Sequence, residues 1–163
     1  MKQEMMIQEY KPAFQPQILE LISHIQQVEY GIPLELSEQP DLYAIQEVYQ
    51  SGKGNFWTAY MDGTIIGTTA LQDIGNDRAA LKKVFVHEEF RGKTYGVSAA
   101  LLKTALKWAE EKSIKEVLLG TTSEFVAAHK FYEKNGFIRI AEKNLPENFP
   151  KLKVDTRFYK YII

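Results

Sequence analysis

Residues 90–98 read Phe-Arg-Gly-Lys-Thr-Tyr-Gly-Val-Ser, two glycines and two cations between an apolar run ending at Val86 and a helical pattern opening at Val97. Backbone amides at a helix N-terminus, with glycines that let a ligand come close, bind anions. Gly92-Lys93-Thr94 has the form of a P-loop tail, but the first glycine of that motif falls on His87, and no strand ending in a Mg²⁺-binding aspartate follows. Gly96-Val97-Ser98 fails as a nucleophile elbow, because Ala100 stands where its last glycine belongs. GKGN at 52–55 precedes its strand, whereas a dinucleotide fingerprint follows one. The remaining chemistry is a pyrophosphate seated on amides 92–98, with Gly96 allowing close approach and the helix dipole adding attraction. Lys82, Lys83, Arg91, Lys93, Lys103 and Lys107 oppose only Glu88 and Glu89 over residues 81–107.

Helices and strands must present that loop. Residues 5–9 read as a short strand, and Ile18, Leu21, Ile22 and Ile25 recur at helical spacing within 14–28. Pro40-Asp41 opens a second helix to about residue 50. Strands are expected over 55–61 and 64–71, joined by Asp62-Gly63, then over 80–86 after a turn at 75–78. A helix over 97–112 followed by a strand over 116–119 forms a βαβ unit, so the strands on either side of it pair in parallel. Thr121-Thr122-Ser123-Glu124 has the form of a capping box, and Asn135-Gly136 stops the helix it opens. Strands at 137–140 and 155–162 flank a long loop, 143–154, of a length usually tied to function. The class is α+β (α/β in looser usage), a mixed sheet with helices on both faces.

The bulk composition narrows the partners. The 163 residues are 45% hydrophobic and 25% charged with a net charge of −1, which suits one globular domain over 1–163 and argues against a nucleic-acid binder. The chain has no cysteine, which excludes disulfides, thiolate metal sites and a cysteine nucleophile. His24, His87 and His129 lack metal-ligand spacing, so no metal is expected. The first residues, MKQEMMIQEY, lack the apolar core of a signal peptide, and no stretch reaches membrane-span length, so a cytoplasmic location with no membrane partner is the default.

The sequence resembles the GNAT superfamily of acyl-CoA N-acyltransferases. Its phosphate signature, [QR]-x-x-G-x-[GA], falls on Arg91-Gly92-Lys93-Thr94-Tyr95-Gly96, with Thr94 where glycine is usual. AHKFYEKNGF at 128–137 looks like the family's A-x-x-[LF]-Y-x-x-x-G-F segment; Phe125 stands where asparagine is common. The likeness covers most of the chain and is weakest before residue 40. It implies a GNAT-type sheet whose two parallel strands splay around acetyl-CoA. Val84, Phe85 and Val86 would bond to its pantetheine and acetyl groups, and Arg91, Gly92, Lys93, Thr94, Tyr95, Gly96, Val97 and Ser98 would hold its pyrophosphate. Thr94 would either crowd the phosphate or donate to it.

The same resemblance makes Tyr132 the general acid for a direct attack of a primary amine on the thioester, through a tetrahedral intermediate. Read from position alone, Tyr132 is a core aromatic with its hydroxyl at the surface; the motif is what points to catalysis. The amine must be neutral to attack, at a cost of roughly 4–5 kcal/mol for a lysine-like amine and about 1 kcal/mol for an α-amine. Glu29, Asp73, His87, Glu88 and Glu124 are candidate bases, none singled out. Glu29, Glu35, Glu38 and Asp41 give the first part an acidic cast that would attract a cationic small-molecule or peptide amine, or simply form a solvated face. A non-catalytic acyl-CoA-binding or protein-interaction module is the alternative. The segment RFYKYII is apolar enough to pair across a homodimer or to finish the sheet.

Overall fold

A computed structural model describes residues 4–163. Seven strands form one sheet in the order β1-β2-β3-β4-β5-β7-β6, and every neighbouring pair is antiparallel except β4 and β5. Strands β1 (Met6–Glu9), β2 (Asn55–Met61), β3 (Thr64–Gly75) and β4 (Arg78–Val86) make a meander. Its hairpins turn where the chain enters left-handed conformation, at Asp62 (φ 50°) with Gly63 and at Asn76 (φ 55°) with Asp77 (φ 58°). Such paired positive φ values match the strand twist, which is why Asp-Gly and Asn-Asp sit there. Helix α3 (Val97–Glu111) then crosses to β5 (Glu116–Thr121), and α4 (Val126–Lys134) leads to β6 (Ile138–Ile140) and β7 (Arg157–Ile162).

Alternation along β2 divides the core. Trp57, Ala59 and Met61 pack under α3 with Leu101 and Ala105, while Phe56 faces Ile18 and Ile22 from α1 (Gln15–Ser23), Leu42 from the turn Pro40–Tyr43 and Ile45 from α2 (Ile45–Tyr49). A third cluster seats Phe149, from the long loop, on Ile74, Ala80 and Leu118.

The helix expected over 14–28 is α-helical only to Ser23 and continues as a π-helix over His24–Glu29. The one expected over 40–50 breaks at Ala44 (φ −142°) into a 3₁₀ turn, Pro40–Tyr43, and α2. The capping box does not form. Phe125 takes the N-cap position, and the Glu124 carboxylate accepts from the Thr122 hydroxyl instead. β7 is paired on both sides, by β5 and β6, so RFYKYII finishes the sheet and has no free edge for a second copy.

Two features open the sheet. β4 and β5 pair only from Arg78–Ala80 to Glu116–Leu118 and separate beyond. Just past that point Lys83 takes φ 55°, and the β3–β4 register slips between Thr68 and Ala70. This is a β-bulge held by a non-glycine residue in left-handed conformation, a local cost of about 1–3 kcal/mol that persists because the surroundings hold it. The Thr68 hydroxyl satisfies the freed Lys83 carbonyl at 2.6 Å.

Candidate active site

The separation of β4 and β5 leaves a cleft of about 530 Å³. Its length follows β4. Lys82 precedes Val86 by four residues, about 13 Å of strand, so the phosphate loop and Lys82 lie at opposite ends.

At the loop end, Gly96 is the N-cap of α3 with φ 61°, and no side chain caps the helix. The first amides of α3 are therefore open to a ligand. A Cβ at Gly92 or Gly96 would meet no atom within 4 Å, so space remains over both. Arg91, Gly92, Lys93, Gly96, Ser98 and Ala99 line the cleft, joined by Lys134 and Asn135 from the end of α4. These features fit a polyanionic pyrophosphate: uncapped amides, two open glycines and several cations.

The expected loop residues divide. Val97 is buried in the core against Leu101, whereas Thr94 and Tyr95 are exposed, with the Tyr95 ring on Phe90 at 5.2 Å. None of these three side chains lines the cleft. Arg91 does not aim its charge into the phosphate space. Its guanidinium grips the Glu29 carboxylate with both terminal nitrogens, Nη2 at 2.7 Å, and donates from Nε to the Val86 carbonyl at 2.9 Å. These hydrogen bonds hold Glu29 below the usual carboxylate range. Lys103 and Lys107 are exposed on α3 away from the cleft, and Lys82 and Lys83 occupy its far end.

Val84, Phe85 and Val86 form the β4 wall. Phe125 faces them in an aromatic bridge, 6.3 Å from Phe85 and 4.9 Å from Tyr30 at the end of the π-helix. An apolar wall thus replaces the polar contact that asparagine at 125 would give. Tyr132, on α4, also lines the cleft, with its ring packed on Phe137 at 5.5 Å and Tyr159 at 5.9 Å. Burial, with a smaller effect from Tyr159, drives the pKa of its hydroxyl well above that of a free phenol. It is both a core aromatic and a cleft-facing donor. The two readings of Tyr132 were never exclusive.

The far end carries groups that sequence reasoning missed. Lys83 is buried, donating to Gln39 Oε1 at 2.6 Å and pairing with Asp41 at 3.4 Å; burial lowers its pKa to about 8. Gln39 and Gln26 bond to each other at 2.8 and 3.2 Å, and Tyr49 donates to Asp41 at 2.5 Å. Asp155, just before β7, packs so closely on Gly120 that a Cβ there would lie 2.7 Å from its Oδ2. Asp155 is the one carboxylate lining the cleft among the described residues, and burial raises its pKa.

None of the candidate bases lines this space. Asp73 accepts from the Lys53 and Gly75 amides, Glu88 lies in an exposed 3₁₀ turn with Glu89, and His87 caps that turn. His129 donates to the Thr122 carbonyl at 2.9 Å, and no cluster able to hold a metal occurs among the described residues. The acidic cast near the first helices is also consumed. Glu29 pairs with Arg91, Glu35 and Glu38 cap each other's backbone, Glu38 pairs with Lys153, and Asp41 pairs with Lys83.

Three comparisons bear on this arrangement. The family model described as Acetyltransferase (GNAT) family matches residues 19–137. A crystal structure of an acetyltransferase of the GNAT family from Staphylococcus aureus Mu50 is 36% identical, with a TM-score of 0.95 over 98% of this chain and 99% of that one. The N-acetylaspartate synthetase of Danio rerio is 34% identical over 111 residues; these are 67% of this chain but 39% of that relative's length. PaiA N-acetyltransferase from Thermoplasma acidophilum, solved in complex with coenzyme A, shares the fold at 20% identity, with a TM-score of 0.74 over 98% of this chain and 99% of that one. No helix among the described residues is long and apolar enough to cross a membrane.

Proposed function

The chain belongs to the acetyltransferase (GNAT) family, and from that premise we propose that residues 1–163 act as one domain moving acetyl from acetyl-CoA to a primary amine. The carrying observation is the continuous wall that runs from the uncapped amides of α3 along Val84–Val86 to the Tyr132 hydroxyl. Amides 97–99, Gly92 and Gly96 hold the pyrophosphate, Lys93 and Lys134 add charge, and the backbone of residues 84–86 receives the pantetheine arm. Arg91 acts indirectly in this reading, because its side chain ties the loop to Glu29.

The chemistry follows from what each side chain can hold. The acceptor arrives as an ammonium and must lose a proton before its nitrogen can bond to the thioester carbon. Asp155 takes that proton. Among the described residues its one hydrogen bond is from the Leu152 amide to Oδ2, at 2.9 Å, which leaves Oδ1 for the cleft that the residue lines. As the C–S bond breaks, Tyr132 donates a hydrogen bond to the departing sulfur, which leaves as the thiol with the second proton from nitrogen. Absence of cysteine leaves direct attack as the route, because no cysteinyl-acyl intermediate can form.

Thermal unfolding tests the cofactor claim. Acetyl-CoA and CoA at a hundred times their Kd stabilise the fold by about 2.7 kcal/mol, and ATP with Mg²⁺ does not. Stabilisation by ATP alone would return the loop to the P-loop reading. The base is tested separately by Asp155→Asn, which can still accept the Leu152 amide. The variant loses about a hundredfold in kcat/KM. Asp155 works when deprotonated, so the wild-type rate falls as pH drops through its raised pKa, and the variant lacks that limb. An unchanged pH profile removes Asp155 from the mechanism.

A further inference from the structure

The far end of the cleft carries opposite charges, each incompletely paired. The Lys82 ammonium donates to the Pro150 carbonyl at 2.8 Å, its one hydrogen bond among the described residues, so two of its three hydrogens are left for a ligand. Asp155 has Oδ1 free, as described above. Lys83 lies behind them, with its charge already answered by Asp41 and Gln39. Ile32, Leu34, Leu152 and Val154 complete the wall and limit the room.

We propose that the acceptor is a small α-amino acid, bound as its zwitterion with the carboxylate on Lys82 and the ammonium on Asp155. This deepens the transferase reading and rests on it. Burial pushes both groups toward their neutral forms, lowering the Lys82 pKa and raising that of Asp155. A buried charge is tolerated when a partner of opposite sign compensates it. An amino acid supplies both partners at once and adds no net charge to the cleft. A polyamine would instead place further positive charge beside two lysines, and a simple alkylamine on Asp155 would leave Lys82 sharing that carboxylate and the more distant Asp41. The same geometry puts the reacting nitrogen on the group that removes its proton. The acidic cast that suggested a cationic acceptor is largely consumed: Glu29, Glu38 and Asp41 are ion-paired, and Glu35 caps its own turn away from the cleft lining.

The test compares matched acceptors in a thiol-release assay with acetyl-CoA: alanine and aspartate, their carboxamides, ethylamine and spermidine. The amino acids exceed their carboxamides by at least about tenfold in kcat/KM, equivalent to ~1.4 kcal/mol. Amine basicity does not explain such a preference, because the carboxamides are more readily deprotonated. Lys82→Met erases the preference and raises the acceptor KM about tenfold, Lys82→Arg keeps it, and calorimetry gives an unchanged Kd for CoA in both. Transfer to spermidine or the carboxamides at rates equal to the amino acids overturns the inference and leaves the transferase reading standing. Persistence of the preference in Lys82→Met does the same. If CoA itself does not bind, both fall together.

Discussion

Tyr132→Phe lowers kcat for acetyl transfer about a hundred- to thousand-fold, the loss expected when one preorganised donor is removed from developing charge. The affinity for CoA and the unfolding midpoint stay within error of wild type. Phenylalanine keeps the ring contacts with Phe131, Phe137 and Tyr159, so the variant removes the hydroxyl and little else. Burial holds the phenol above its ordinary pKa, and this shapes its role. A free thiolate, near pKa ~8.5, is a weaker base than the tyrosinate, so complete proton transfer to it would run uphill. The hydroxyl therefore works by hydrogen-bonding the sulfur while charge builds there. It also stays protonated throughout the neutral and mildly alkaline range, and its ionisation produces no fall in rate below about pH 10. Single-turnover measurement of CoA release isolates the chemical step. An unaltered single-turnover rate would reduce Tyr132 to a packing residue.

The second large effect is on stability. In the unfolded chain Lys83 keeps its proton until about pH 10.4; in the fold it releases the proton near 8. Between those values the unfolded state binds more protons, so stability rises as pH increases from about 8 to 10. The gain is about 2–3 kcal/mol, and burial of Lys82 acts in the same direction. Above pH 10 the buried Tyr49 and Tyr132 oppose it, because their folded forms retain protons that the unfolded chain loses. Urea unfolding at pH 7.5 and 9.5 measures the difference. Lys83→Met removes most of the slope, whatever its effect on baseline stability. Equal slopes in the two proteins would show that Lys83 is not the group responsible.

The elements that could be read from sequence are those set by local rules. Asp62-Gly63 and Asn76-Asp77 announce their hairpins because the turns need positive φ, and those residue types adopt it at low cost. Helix α3 and the strands beside it follow from periodicity, and the parallel β4–β5 pair follows from the length of its crossover. The phosphate loop was legible for the same reason. Its amides, glycines and flanking strand and helix are contiguous in the chain.

Contacts that no local pattern announces decided the rest. The Thr121–Glu124 pattern forms no capping box because the Thr122 hydroxyl takes the Glu124 carboxylate and the Thr122 carbonyl receives the His129 ring. The 14–28 helix widens after Ser23, and Gln26 there meets Gln39 thirteen residues on, a pairing no local pattern announces. In sequence Lys83 reads as one more cation near the loop. Its bulge appears only when β3 and β4 register, and its ion pair only when the Pro40–Tyr43 turn comes to rest on β4.

By itself, then, the sequence determined the α+β architecture, the glycine-bearing loop that opens α3 and the tyrosine on α4. Only tertiary structure decided which charges remain free at the acceptor end. A carboxylate's strength as base or lure depends on what stands opposite it in space. Glu29, Glu38 and Asp41 are answered by cations from other segments and Glu35 caps its own turn, whereas Asp155, just before β7, and Lys82, on β4, come to the same opening with bonding capacity to spare.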